Sequence, residues 1–435
     1  MPPSFLDIEL YASSRATVAQ LKQFEPSRHD AVRLFKKFAP RQLDCYGIVT
    51  AFEAIGDLPN LRRLELCAKA NYMYCQYHHN YSGTGSSVVG DGNSSHGNGI
   101  TDLPVQALTK CLQRSLHLKD LLMDRVELCG DTPDLQALAD VVRTHPTLER
   151  VYINECNASP QAVPLNVLLE AAAANPHVKT LSATHCNWVG IGATLRRLGA
   201  LTQGLESLRL KGPLTHADPT DWLHFAQGLQ HNTSLKEVKI TSCQVPAGVG
   251  IAMARLIKCN KALEKIAIEM QAIQDIVPMC CALATNDTLN ALEVMVQSPG
   301  PAALQQAVTN LLARAMRSNY TLAYLSLCSP TAMISNPTLE FYLRLNRSGE
   351  RRHWVTRGAF EMSKSEWMDI LAAHAQDLTT LHYILTLNPT LVVGSSFSSE
   401  PKGLPKEVRG KSSLQCADDT DAPPRKRQRR EVNSR

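Results

Sequence analysis

Residues 232–243 read NTSLKEVKITSC, and the same order of residue types returns in 175–186 (NPHVKTLSATHC) and 145–156 (HPTLERVYINEC). Each copy has Asn or His at its start and then the phrase L-x-x-L-x-L, in which Val, Ile or Ala replaces some Leu residues. Alternation of apolar and polar residues predicts a short strand that buries one face. A phrase that returns along the chain predicts a repeat architecture.

The spacing of the copies predicts what lies between the strands. From Leu118 onward successive copies are 26 to 33 residues apart, which leaves room for a full helix in each unit. Stretches such as DLQALADVVRTH and GIAMARLIKCN have the three- and four-residue apolar spacing of a helix. We therefore predict an α/β solenoid of parallel strands and helices. The copies begin at Leu61, Leu118, Leu148, Val178, Leu205, Leu235, Leu263, Leu289 and Leu322.

The residue three positions before most copies is Asn. Asn tolerates the left-handed backbone conformation that ends many helices, so we predict that these residues stop the helices. Pro follows several of them and cannot continue a helix. The predicted stops are His145, Asn175, Asn232, Asn260, Asn286, Asn319, Asn336 and Asn388, with Thr202 at this position in the Leu205 unit.

The longer phrase L-x-x-L-x-L-x-x-C, at 148–156, 178–186 and 235–243, resembles the repeat of ribonuclease-inhibitor-type leucine-rich-repeat proteins. The resemblance covers roughly residues 61–345. It implies a horseshoe with a parallel strand ribbon on the concave face and helices on the convex face, and a structural role for the Cys position. The phrase FYLRLNRSG, which begins at Phe341, is similar to the closing unit of uncharacterised algal leucine-rich-repeat proteins.

Four regions follow from this pattern. Because the open ends of a solenoid must be covered, we predict an N-terminal cap in 1–58, the solenoid in 59–345 and a helical C-terminal cap in 346–393. Residues 394–435 are a predicted disordered basic tail. A Gly-, Ser- and Asn-rich stretch at about 80–100 is a predicted disordered insertion. It lies in the 57-residue step from Leu61 to Leu118, which we interpret as one unit.

Charge and cysteine usage limit the function classes. From Glu400 onward ten Lys or Arg oppose six Asp or Glu, which leaves 35 against 34 in the rest of the chain. A near-neutral body argues against broad nucleic-acid binding by the folded part. The sequence has no signal-peptide pattern and no window of about 18 apolar residues. With thirteen Cys interpreted as reduced thiols, we expect a soluble monomer of the nucleus and cytoplasm, without a membrane partner.

The basic run near the C-terminus has the form of a nuclear import signal, which an import carrier binds in acidic grooves. The alternative is a solvated tail that aids solubility or touches RNA weakly. Deleting the run and comparing the two forms in cells tests the prediction. Its basic residues are Arg425, Lys426, Arg427, Arg429 and Arg430.

Cys67, Cys75, His78 and His79 have the side chains that zinc prefers. Their spacing is not a standard one and adjacent His residues seldom bind one ion, whereas Cys67 is already explained by the repeat. We predict no metal and no cofactor.

Cys156, Cys186 and Cys243 recur in register. A redox role is one interpretation. We favour a structural one, in which each Cys is a small apolar residue whose thiol caps a neighbouring carbonyl.

The outward strand positions are the candidate binding surface. A rigid scaffold that displays side chains in a row makes a large interface. Arg209, Lys211, Lys239 and Lys265 are predicted to form a basic stripe for an acidic partner, and an ordinary solvated strand face is the alternative, because Glu237 and Glu269 dilute the charge. The candidate partner-binding residues are Arg150, Tyr152, Arg209, Lys211, Glu237, Lys239, Lys265 and Glu269.

No nucleotide-binding, metalloprotease or hydrolase motif occurs in the sequence, so we predict neither an enzyme nor a small-molecule substrate. The leading hypothesis is a non-catalytic scaffold that binds a protein on the concave face. One alternative is a small-GTPase regulator, since Ran GTPase-activating proteins resemble this architecture, although the acidic tail of that family is missing here; GTP turnover tests it. Another is an RNA-associated factor that acts through the basic tail, which RNA recovery after crosslinking tests.

Overall fold

A computed structural model describes residues 5–9, 31–35, 45–67, 100–158, 165–186, 190–212, 217–243, 245–329, 336–347, 349, 351 and 364–387. The chain divides into two compact units, Met1–Met362 and Ser363–Arg435. Within the described residues the strands are β1 Phe5–Glu9, β2 Ala31–Phe35, β3 Arg63–Cys67, β4 Ile100–Pro104, β5 Asp120–Asp124, β6 Val126–Cys129, β7 Arg150–Asn154, β8 Asn157–Ala158, β9 Thr180–Thr184, β10 Ser207–Lys211, β11 Glu237–Thr241, β12 Lys265–Ala272, β13 Ala291–Ser298 and β14 Tyr324–Cys328.

Helices alternate with the strands of the main sheet along most of the first unit, as the repeat predicts. In the second unit, the described residues form two helices within the segment predicted to be helical. The α-helices are α1 Cys45–Gly56, α2 Val105–Arg114, α3 Thr132–Thr144, α4 Asn166–Ala174, α5 Ile191–Leu201, α6 Pro219–Leu229, α7 Val249–Cys259, α8 Val277–Leu283, α9 Ala302–Met316, α10 Pro337–Arg347, α11 Lys364–Ala373 and α12 Leu378–Leu387.

The main sheet has eleven described strands in the order β1-β2-β3-β5-β7-β9-β10-β11-β12-β13-β14. All its pairings are parallel, and each strand pairs with the corresponding strand of the next unit. Equivalent apolar residues are therefore in register, for example Val151 opposite Leu181 and Leu208 opposite Val238. The chain is a parallel-strand α/β repeat arrangement.

The core lies on one face of this sheet. In β7 and β11 buried and half-buried residues alternate, and Val151 and Ile153 are fully buried. In the first unit each neighbouring pair of helices from α1 to α10 also packs together, most closely α5 with α6. A Cβ atom on Gly228 of α6 would lie 2.5 Å from the carbonyl carbon of Gly199 in α5, so the two backbones touch. The opposite face of the strands keeps its polar side chains partly exposed.

A ladder of buried thiols follows the strands. The Sγ atoms of Cys156, Cys186 and Cys243 lie 3.4, 3.7 and 3.6 Å from carbonyl oxygens on the preceding strand. Burial raises the pKa of Cys186 and Cys243 to about 12, so both stay protonated at neutral pH. A protonated, buried thiol is a poor nucleophile. The structural interpretation of the recurring Cys is confirmed.

At most of the predicted Asn positions a helix does end, but the predicted backbone conformation is wrong. Asn175 and Asn260 have φ of −74° and −75° with extended ψ, not left-handed values. Their side chains supply the reason. Asn260 Nδ2 donates to the carbonyls of Leu229 (2.7 Å) and Asn232 (2.9 Å), and its Oδ1 accepts from the backbone N–H of the second and third residues after it. The amide thus joins one unit to the preceding one and turns the chain into the next strand.

The buried Asn side chains that join neighbouring units in this way are called the Asn ladder below. Sequence reasoning missed one member of the ladder and wrongly included another residue. Asn346 Nδ2 donates to the carbonyls of Asn319 and Leu322, so it occupies the last position of the ladder. Asn336 does not stop a helix: its Oδ1 accepts from two N–H groups at the start of α10. Asn388 lies outside the described residues. The buried ladder residues are Asn175, Asn232, Asn260, Asn286, Asn319 and Asn346.

The left-handed conformation occurs instead just after the strands. Arg125, Glu155, His185 and Ser242 have φ between 49° and 56°. The N–H groups of Glu155 and His185 donate to Thr184 O (2.8 Å) and Lys211 O (2.5 Å) of the next strand. Each turn therefore keeps a hydrogen bond to its neighbour while it directs the chain away from the sheet.

The sheet extends beyond the predicted solenoid boundary. β1 and β2 fall in the segment 1–58 that was predicted as a cap, and they pair with each other and with β3. β3 pairs directly with β5, which confirms that the 57-residue step is one unit. A second, three-stranded parallel sheet, β4-β6-β8, was not predicted. Residues 80–99 of the insertion and the tail 394–435 lie outside the described residues.

His145 holds the Asn position of the first ladder unit. Its side chain is buried, its Nδ1 accepts weakly from the N–H of Thr147 (3.5 Å), and the backbone groups of Ser115 and Leu112 lie beside its ring. Burial lowers the pKa of His145 below its ordinary value of 6.5. As the pH is lowered, the imidazole of the unfolded chain is therefore protonated at a higher pH than that of the folded chain. The free energy of unfolding falls as the pH falls from 6.5 toward the folded-state pKa.

We expect His145→Asn to raise the free energy of unfolding and to reduce its pH dependence. Asn would satisfy the buried position with amide hydrogen bonds, each worth about 1 kcal/mol. Urea unfolding at about pH 7.5 and about pH 5.5 measures the effect, and the gap between variant and wild type should be wider at the lower pH. His231→Asn, at an exposed position, is the control. An equal pH dependence for the wild type and His145→Asn would contradict this account.

Candidate partner-binding surface

The outer face is the name used here for the side chains of β3, β5, β7 and β9 to β14 that point away from the core. Strand register arranges them in rows that cross the sheet. The first row is Asp120, Arg150, Thr180, Ser207, Glu237, Lys265 and Ala291. The middle row is Leu122, Tyr152, Ser182, Arg209, Lys239, Ala267 and Glu293. The third row is Asp124, Asn154, Thr184, Lys211, Thr241, Glu269 and Met295.

Ion pairs balance the charges at the N-terminal end of the outer face. Glu65 is fully buried and accepts from Arg33 (2.6 Å) and Arg63 (2.7 Å). Arg150 donates twice to Asp120, at 2.5 and 2.7 Å, and Arg63 lies 3.7 Å from the same carboxylate. The hydrogen bond to Asp120 raises the pKa of Arg150. The predicted binding residue Arg150 is therefore already paired within the protein.

Tyr152 and the third row continue this polar arrangement. Burial raises the pKa of the half-buried Tyr152, which stays a neutral phenol. In the third row the Asn154 amide donates to Asp124, and the Thr184 hydroxyl donates to the Asn154 oxygen. Side chains on three consecutive strands thus hold one another in fixed positions.

The central strands β10, β11 and β12 carry a different charge pattern. Arg209 donates to Glu237 at 3.2 and 3.3 Å, and the Ser207 hydroxyl donates to the same carboxylate at 3.2 Å. Lys211 and Lys265 are exposed and Lys239 is half-buried. Among the described residues, these three lysines form no ion pair.

The predicted basic stripe differs from the arrangement in the structure. Arg209 is opposite Lys239, but Lys265 is opposite Glu237, and Lys211 lies two residues beyond Arg209. The four cations therefore form a patch over three strands instead of one row. Alternation along each strand placed these residues on the correct face, whereas their arrangement across strands depends on register.

Glu269 is not accessible on the outer face. Its carboxylate is 5% exposed and accepts from the Ser242 N–H and the Gln297 side-chain amide. β12 and β13 are eight residues long, longer than the strands before them, and neighbouring groups cover Glu269. Glu269 thus lies in β12, the strand at which the strand length increases from five to eight residues.

Two clefts formed by the described residues lie away from the candidate binding residues. A cleft of about 360 Å³ lies between the loops that precede β3 and β5, away from the candidate residues, and Asp57, Arg114 and His117 contribute to its walls. Among the residues that the structure describes, no group of three His, Cys, Asp or Glu side chains is placed to hold a metal ion. Cys67 is buried at the end of β3. Cys75, His78, His79 and the basic run from Arg425 to Arg430 lie outside the described residues.

Comparison with known proteins adds one structural similarity. No protein-family description and no curated protein sequence matches the chain. A solved structure described as Leiomodin-1 Actin-Binding Site 2 aligns with 39% of this chain and 97% of its own length, at 16% identity and a TM-score of 0.30. At that TM-score the similarity supports no conclusion about the partner of this chain. Within the described ranges no helix is long and apolar enough to cross a membrane.

Proposed function

We propose that this protein is a leucine-rich-repeat solenoid of the ribonuclease-inhibitor-like long-repeat type, and that it binds a partner protein on the outer face without catalysis. One observation carries the proposal: the outer face of β10, β11 and β12 presents Lys211, Lys239 and Lys265 without an ion-pair partner among the described residues, on strands whose other face is core. In this proposal the outer face is the concave face.

The supporting structure around these lysines is rigid. Val238 and Ile240 anchor β11 in the core, and Asn and Cys side chains of its unit donate to carbonyls of the unit before. A surface that is already ordered loses little conformational entropy when a partner binds. Tyr152 adds an aromatic side chain of a type enriched in protein interfaces.

Site-specific photo-crosslinking in the native cell tests this proposal. We expect a photoreactive phenylalanine analogue at Tyr152 or Lys239 to give discrete adducts with the partner. The matched controls are Ile251 in α7 and Leu311 in α9, which are 53% and 39% exposed on helices. Adducts formed only from the helical positions, or from none of the four, would refute partner binding on the outer face.

A further inference from the structure

We propose that Lys211, Lys239 and Lys265 together bind an extended acidic peptide segment with carboxylates at alternate positions. This inference rests on the proposed function and adds the chemistry of the partner. The three residues are called the lysine diagonal below, because they cross β10, β11 and β12 obliquely.

Register defines the geometry of the lysine diagonal. Lys211 is opposite Thr241, Lys239 is opposite Arg209 and Ala267, and Lys265 is opposite Glu237. Each step along the diagonal therefore moves to the next strand and back by two residues. With neighbouring strands about 4.8 Å apart and a rise of about 3.3 Å per residue, successive Cα atoms are about 8 Å apart.

An extended peptide has a similar repeat. Its side chains alternate, so those on one side recur every two residues, or about 6.6 Å. The lysine stem is long and flexible, which lets an ammonium group cover the remaining difference. Three carboxylates at alternate positions can thus meet three ammonium groups at once.

Electrostatics favour an acidic ligand at this place. Glu237 is held toward β10 by Arg209 and Ser207, and among the described residues it forms no ion pair with Lys265. Glu269 is buried and hydrogen-bonded to neighbouring groups. Neither carboxylate pairs with the lysine diagonal, which leaves the ammonium groups available to an incoming anion.

The patch is too short and too isolated to favour a nucleic acid. Beyond β9 the outer face carries Asp120 and Asp124, and on the other side Glu293 follows on β13. Asp120 and Asp124 already pair with the cations beside them, and Glu293 would repel a continuous phosphate backbone, whereas a segment of about five residues needs only the lysine diagonal. Binding to single-stranded nucleic acid also draws on aromatic stacking platforms, and the residues of the diagonal are all aliphatic cations.

Fluorescence anisotropy with the full-length protein tests the inference. The probe is a fluorescein-labelled peptide in which three Asp alternate with Ser, and the comparison peptide has the same composition with the three Asp contiguous. At about 50 mM salt we expect the alternating peptide to bind more tightly than the contiguous one, and to lose at least about tenfold in affinity in Lys211→Ser/Lys239→Ser/Lys265→Ser. The matched control variant is Lys110→Ser/Arg255→Ser/Lys258→Ser, which removes three exposed helical cations and should bind like the wild type.

The outcomes separate this inference from the proposed function. Equal binding of the two peptides, an unchanged affinity in the diagonal variant, or tighter binding of a charge-matched single-stranded oligothymidylate would overturn the inference. Circular dichroism of each variant excludes unfolding as the cause of lost binding. If the peptide fails while crosslinks still form at Tyr152, the scaffold function stands and only the acidic-segment inference is lost. If the crosslinks fail as well, both are lost.

Discussion

Arg351→Met is expected to destabilise the C-terminal end of the repeat array by about 3 to 5 kcal/mol. The Arg351 side chain is fully buried. Its guanidinium donates to the carbonyls of Met316 (2.7 Å), Arg317 (2.6 Å) and Asn319 (3.0 Å), and it lies 4.7 Å from the centre of the Tyr342 ring. The carbonyls of Met316 and Arg317 lie at the C-terminal end of α9, where the helix dipole favours a cation. Methionine would fill part of the volume but would leave the carbonyls of Met316 and Arg317 without this donor.

Hydrogen exchange measured by mass spectrometry is the appropriate measurement. In a repeat array each unit is stabilised mainly by its neighbours, so the loss should appear first in residues 319–347 and leave 118–186 protected. Arg344→Met is the control, because Arg344 lies on the same segment with an exposed side chain. Protection of 319–347 that matches the wild type would show that Arg351 does not hold this end together.

Asn260→Leu is expected to cost about 3 kcal/mol or more, and to do so in the middle of the array. The variant keeps the branching of the side chain at Cγ but replaces the amide oxygen and nitrogen by two larger methyl groups, and it removes four hydrogen bonds. Two are donated to Leu229 O and Asn232 O, and two are accepted from Ala262 N and Leu263 N, all between 2.7 and 2.9 Å. The backbone groups would stay buried at the junction of two units, with no water to replace the amide.

A mid-array defect should also change the shape of the unfolding curve. Because coupling between neighbouring units makes the array cooperative, we expect the single denaturant transition of the wild type to separate into two in Asn260→Leu. Lys258→Leu, which changes an exposed residue of the same helix, should leave one transition. One unshifted transition in Asn260→Leu would contradict a structural role for the ladder.

The location of the outer face could be predicted from single strands. In β11 the order Glu237, Val238, Lys239, Ile240 already indicates which side chains enter the core, because successive side chains of a strand point to opposite faces. The partners of those side chains could not be predicted in this way. Register decides which residues lie opposite each other on neighbouring strands. It places Asp120 opposite Arg150, which forms an ion pair with it, and Glu237 opposite Lys265, which does not.

The Asn positions likewise could be predicted in part from the sequence. The sequence indicated where the helices end, since Asn recurs at a fixed distance before each strand. The sequence did not indicate which hydrogen bonds end the helices, because the acceptors of Asn260 lie in another unit, about 30 residues earlier in the chain. Local conformational preference favoured a left-handed residue, whereas hydrogen bonds between units stabilise an extended one.

The amino-acid sequence by itself determined the period, the alternation of strand and helix, and the face of each strand that enters the core. These are local properties, since the spacing of apolar residues within one unit is enough to establish them. Only the tertiary structure decided that Asn346 ends the Asn ladder, that Glu269 is buried and that three lysines lie on one diagonal without an ion-pair partner in the described ranges. Each of these features depends on contacts between units. The energy of such a contact depends on which group of a neighbouring unit lies next to the side chain in the folded protein.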